Sequence, residues 1–68
     1  MNAVELKREM LLHGDKSKDL AQYLGMAEST FSCKLYEKGL SFRKSEISAI
    51  IKRYNLSAEK VQQIFFDE

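Results

Sequence analysis

The chain has no proline, three glycines, one cysteine and one histidine in 68 residues. Each scarcity excludes something. Without proline no helix is broken by a missing backbone donor, and with little glycine few points are loose, which suits a wholly helical chain. A lone cysteine, Cys33, leaves no internal disulfide. Cys33 and His13 together make no zinc cluster of familiar spacing, and nothing points to a cofactor. No apolar run approaches the roughly 18 residues of a membrane span. Glu5, Lys7, Arg8 and Glu9 make the N-terminal segment unlike a secretory signal. The expectation is a reduced, cytoplasmic protein with no membrane partner.

What remains is charge and helical periodicity. Sixty-eight residues predict one domain. So short a chain is marginal alone, so stability must come from well-packed helices or a partner subunit. The overall charge of +1 hides an asymmetry. Lys7 and Arg8 against Glu5, Glu9 and Asp15 leave residues 1–15 at −1. Lys16, Lys18, Lys34, Lys38, Arg43 and Lys44 against Asp19, Glu28 and Glu37 leave residues 16–44 at +3. Residues 45–68 return to −1. A polyanion would meet the middle of the chain.

Apolar spacing predicts five helices. The first covers 3–12, with Leu6 and Met10 on one face and Gly14 as a left-handed cap. Ser17 is a good N-cap for a second helix over about 17–24. Gly25 permits a tight turn into a third helix, from Ala27 or Glu28 to about Glu37, closed by Gly39. Ser41 is placed to cap a fourth helix reaching Tyr54, with Phe42, Ile47, Ile50, Ile51 and Tyr54 inward. Asn55 breaks it. Ser57 caps a fifth, with Val61, Ile64 and Phe65 apolar. Two short helices around a glycine turn have the form of a helix-turn-helix, whose second helix can enter a DNA major groove.

Leu20-Ala21, Gly25-Met26, Ser29-Thr30-Phe31-Ser32 and Leu35 resemble the helix-turn-helix of the phage Cro and lambda-repressor-like regulators. Phe42-Arg43-Lys44-Ser45-Glu46-Ile47, Ile50-Ile51, Asn55-Leu56-Ser57 and Ile64-Phe65-Phe66 are similar to the small single-domain members from phages of Gram-positive bacteria. The resemblance covers about residues 6–66. It implies an all-α, compact bundle of four or five short helices, spanning residues 1–68 as one helix-turn-helix domain. It also implies binding of operator DNA as a homodimer, in the host bacterial cytoplasm if the chain is phage-encoded. The chain departs from the family pattern at Glu28, where Ser, Thr, Gln or Arg is usual, and at Cys33, where Arg or Gln is frequent.

The candidate base contacts are Glu28, Ser29, Ser32 and Cys33. Glu28 can accept from a cytosine amine, and serine can serve several bases. Each has a plainer reading. Glu28 complements the helix dipole, and Cys33 is a half-buried thiol. The candidate phosphate contacts are Lys16, Ser17, Lys18, Thr30, Lys34, Arg43 and Lys44. Thr30 alternatively bonds its own helix, and each lysine alternatively stays solvated. His13 reads as a solvent-facing residue at a helix end. Phe65 and Phe66 are adjacent, so a helix cannot bury both equally. One projecting outward is a dimer or partner contact, or else the end of a fraying helix.

Two functions compete. In the first the chain binds double-stranded DNA sequence-specifically and regulates transcription as a Cro-like repressor in a phage genetic switch. In the second it keeps the fold but acts as a protein-binding modulator or antirepressor on a larger phage repressor. No convergent acid, base or nucleophile set, and no phosphate loop, speaks for an enzyme.

Overall fold

A computed structural model describes residues 1–66 as five helices, with no strand among the described residues. They are α1 (Ala3–Leu12), α2 (Ser17–Tyr23), α3 (Glu28–Leu35), α4 (Lys44–Tyr54) and α5 (Ala58–Phe65). Apolar residues three or four apart give each helix an inward face. Leu6 and Met10, Leu20 and Ala21, Phe31 and Leu35, Ile50 and Tyr54, and Ile64 meet in one core, joined by Phe42 from the α3–α4 loop. Ile47 and Ile51, expected inward, are half-buried at its edge. The Asn2 N–H donates to the Ile64 carbonyl at 2.6 Å, where α1 packs on α5.

Four helix starts follow two patterns, and α3, with Ala27 at its N-cap, has no side-chain cap. Asn2 and Ser57 cap α1 and α5 with their side chains, accepting from the Glu5 N–H at 3.2 Å and the Lys60 N–H at 3.1 Å. The starts of α2 and α4 correct the serine-cap expectation. Ser17 is the first helical residue, and Lys16 holds the N-cap position. Its N–H donates to the Asp19 carboxylate at 2.8 Å. Ser41 lies in the loop, and the Arg43 N–H donates to the Glu46 carboxylate at 2.8 Å. An anion three residues into the helix is a stronger acceptor than a hydroxyl, and it also complements the dipole.

The ends of α2, α3 and α4 turn on left-handed residues. Gly25 has φ +73°, which lets the Met26 N–H reach the Ala21 carbonyl at 3.0 Å and swings the chain into α3. α3 itself stops at Leu35, two residues before the expected Glu37. Glu37 takes the left-handed conformation that closes the helix, with φ +55° and the Lys38 N–H on the Cys33 carbonyl at 2.8 Å, and Gly39, at φ +80°, turns the loop beyond it. A side chain in that region costs roughly 1–2 kcal/mol. An offsetting partner is the Met1 ammonium, 2.8 Å from the Glu37 carboxylate. Asn55 ends α4 as expected, with φ +50°.

Between α1 and α2, the Asp15 carboxylate reaches the far end of α4. It accepts from the Arg53 guanidinium at 2.8 and 2.9 Å and from the Tyr54 hydroxyl at 2.6 Å. The guanidinium lies over the Tyr23 ring, 4.5 Å from its centroid. His13, exposed at the end of α1 as expected, stacks on Tyr54 with centroids 4.8 Å apart. The Arg53 hydrogen bonds hold the Asp15 carboxyl down to about 2 from its ordinary 3.8, against the upward push of burial.

Two measurements follow from this scaffold. Between those two pKa values the unfolded chain binds more of the proton at Asp15, so stability falls as the pH drops from about 4 toward 2. Asp15→Asn should cost about 1–3 kcal/mol at neutral pH, and the gap to wild type should close as the pH falls through that window. Urea titrations across pH check this, and equal stability of the two proteins at pH 7 would refute it. At Gly25 a Cβ would meet nothing within 4 Å, so only the dihedral penalty applies. Gly25→Ala should therefore cost roughly 1–2 kcal/mol and Gly25→Asn less. Equal losses for the two variants would mean that sterics rather than φ decide.

Candidate nucleic-acid interface

α3 rests on α2 through its Phe31 and Leu35 face. That packing leaves Glu28, Ser29 and Ser32 exposed and Thr30 and Cys33 half-buried. Ser29 and Ser32 thus stand on the outer side of the helix and not beneath other side chains. Tyr36, the C-cap, continues the same stripe and is 47% exposed. The Lys7 ammonium sits over its ring at 5.5 Å. Tyr36 was not singled out from the sequence, although its spacing of four from Ser32 and seven from Ser29 places it there.

Lys34 requires a correction. Expected at a phosphate or in solvent, it is 8% exposed. Its ammonium donates to both carboxylate oxygens of Glu46, at 2.8 and 2.9 Å. The cause is helical spacing: Lys34 lies three residues after Phe31 and one before Leu35, so it falls on the inward side. Burial pushes the Glu46 carboxyl up, but the Arg43 N–H and the Lys34 ammonium outweigh it and leave the pKa below the usual range.

The other cations fall into an engaged group and a free group. Arg8, Lys34, Arg53 and Lys60 form ion pairs with Glu5, Glu46, Asp15 and the Glu5–Glu9 pair, and Lys7 covers Tyr36. Lys16, Lys18, Lys38, Arg43, Lys44 and Lys52 have no such partner among the described residues, and all are exposed. Only Lys52 lies outside residues 16–44. The acids that could have neutralised them are otherwise engaged. Asp19 and Glu46 cap helices, and Glu37 holds the Met1 ammonium. Glu28 is the exposed exception. Lys16 and Lys18 flank the half-buried Ser17 at the start of α2, and Arg43 and Lys44 open α4.

Apolar side chains are also left outside. Phe66 is 60% exposed, while Phe65 packs half-buried against the core. On α1, Val4, Leu11 and Leu12 are 66, 79 and 72% exposed. Among the described residues no group of three or more His, Cys, Asp or Glu could hold a metal, and no helix is long and apolar enough to cross a membrane.

Compared with family models, with curated proteins and with solved structures, the chain finds no match. The likeness to helix-turn-helix regulators rests on the residues themselves.

Unpaired surface cations contribute little to folding. Replacing Lys16, Lys18, Arg43 and Lys44 together by Gln should move stability by no more than about 0.5 kcal/mol per site. Thermal melts of the four-site variant test this. A large loss would mean that these side chains serve the fold.

Proposed function

We propose that the chain binds double-stranded DNA sequence-specifically and regulates transcription, as a Cro-like repressor built on a lambda-repressor-like helix-turn-helix of α2, the Gly25 turn and α3. The observation that carries this reading is the division of cations. Arg8, Lys34, Arg53 and Lys60 are ion-paired, whereas Lys16, Lys18, Lys38, Arg43 and Lys44, together with Lys52 on α4, have no ion-pair partner among the described residues; five of these six lie in residues 16–44, around α3 and the starts of α2 and α4.

α3 enters the major groove, where Ser29 and Ser32 reach base edges and Glu28 accepts from a cytosine amine. Cys33 offers its half-buried thiol to a thymine methyl. Lys16, Ser17, Lys18, Thr30, Arg43 and Lys44 set the register on phosphates. At 1.5 Å per residue a helix of this length spans about 12 Å and meets only a few base pairs, so a useful site requires a homodimer on two half-sites. Phe66 is the candidate for that contact.

A second reading is favoured by the exposed Val4, Leu11, Leu12 and Phe66. In it the chain modulates a larger phage repressor by binding it through apolar surface.

Selection from a random-sequence duplex pool, followed by salt titration of the selected duplex, separates the two. Four cation–phosphate contacts per copy predict a slope of log K against log salt of about −3.6 for one bound copy and about −7 for the dimer. The four-site Gln variant should flatten it toward zero. Ser29→Ala should weaken binding to the selected duplex more than to random duplex. Failure to enrich any sequence, with no salt-dependent binding, would sink the DNA reading. A mobility change of a repressor protein in the same assay would then support the second.

A further inference from the structure

We infer that the Lys34–Glu46 pair is a positioning device for the DNA surface. It sets the angle of α3 against the start of α4, and so determines sequence specificity without touching DNA. The inference rests on the DNA-binding reading above.

The geometry is a three-way junction on one carboxylate. Glu46 takes both bonds from the Lys34 ammonium on α3, and its Oε1 also accepts from the Arg43 N–H at 2.8 Å. The Lys34 side chain is 10% exposed and that of Glu46 16%, so solvent does little to loosen the contact. α3 leans chiefly on α2. Toward α4 it has apolar contacts, in the shared core of Phe31 and Leu35 with Ile50 and Tyr54 and in the contact of the Phe31 ring with that of Phe42 in the α3–α4 loop, tilted at 57° with centroids 5.7 Å apart. Two aromatic rings hold a distance, but they slide and rotate more readily than a directional ion pair. The junction therefore fixes how α3 rolls relative to Arg43 and Lys44. Those two cations settle on phosphates, and the roll of α3 then decides which base edges Ser29 and Ser32 reach.

A lysine in this place is a poor choice for stability alone. Two side chains of apolar character and similar volume would be desolvated at less cost. What the pair adds is direction. Nor can the Lys34 ammonium serve a phosphate at the same time. Turning outward would leave the Glu46 anion buried and facing a polyanion.

The decisive test compares charge with position. By charge alone, Glu46→Gln removes an anion near the phosphates and should strengthen binding to every duplex. Under the inference it weakens binding to the selected duplex while binding to random duplex holds or rises. The ratio between them should fall about tenfold, the size of one lost base pair of recognition. Lys34→Met should leave the salt slope unchanged, whereas a lost phosphate contact would reduce it by about 0.9. The double variant Lys34→Met, Glu46→Leu guards against simple unfolding. It should melt near the wild-type temperature yet lose the same discrimination.

Full discrimination in a folded double variant, or tighter selected-site binding by Glu46→Gln, would overturn the inference while leaving DNA binding intact. Absence of any duplex binding by the wild-type chain would overturn both.

Discussion

Three hydrogen bonds converge on the Asp15 carboxylate, two from Arg53 and one from Tyr54, across 38 and 39 residues of chain. A domain with one cysteine and a small core has few ways to tie its halves together. This junction supplies one. It anchors the α1–α2 turn to the end of α4, and the residue after Asp15 is Lys16, the N-cap of α2. Burial raises the Tyr54 pKa, and the charged Asp15 it donates to raises it further. The hydroxyl therefore remains a donor at neutral pH. With Arg53 also covering the Tyr23 ring, the cluster clamps the start and the end of α2 to one side of α4.

The same economy governs the rest of the charge. An acid that caps a helix, or neutralises a buried cation, is no longer free to neutralise its neighbours on the surface. Asp19 and Glu46 stand three residues after Lys16 and Arg43 and turn back to those residues' own N–H groups. The backbone is satisfied and the Lys16 and Arg43 side chains form no direct ion pair among the described residues. Pairing with Glu46 takes Lys34 out of the +3 of residues 16–44, while Lys16, Lys18, Arg43 and Lys44 stay outward. Local capping chemistry and the long-range field are the same residues viewed at two distances.

Features that depend on neighbours along the chain are legible in the sequence. The extent of α1, the start of α5 at its Ser57 cap, the turn at Gly25 and the inward faces of Phe31, Leu35 and Ile50 all follow from spacing and residue type. Features that depend on distant partners are not. Glu37 closes α3 where Gly39 is the better residue, with the Met1 ammonium as its partner. Lys34 turns inward because Glu46 is there to receive it. Asp15 passes for a turn residue until Arg53 and Tyr54 arrive from α4. For the candidate site, the outer positions of Glu28, Ser29 and Ser32 are readable from periodicity. Tyr36 extends the stripe by the same rule, from the C-cap position just past the helix.

Glu28 is the one exposed acid on α3. At the helix N-terminus it gains from the dipole, which accounts for its presence without any ligand. On a DNA surface the same charge works against every phosphate within about a Debye length, some 8–10 Å at ordinary salt. That penalty falls on all sequences alike, whereas a cytosine amine in the groove can repay it at one position only. With few free cations to supply affinity, such a residue lowers the background of random binding more than it lowers binding to a matched site. A weakly charged chain of this design would gain discrimination from repulsion as well as from contact, and would need a second copy to recover affinity.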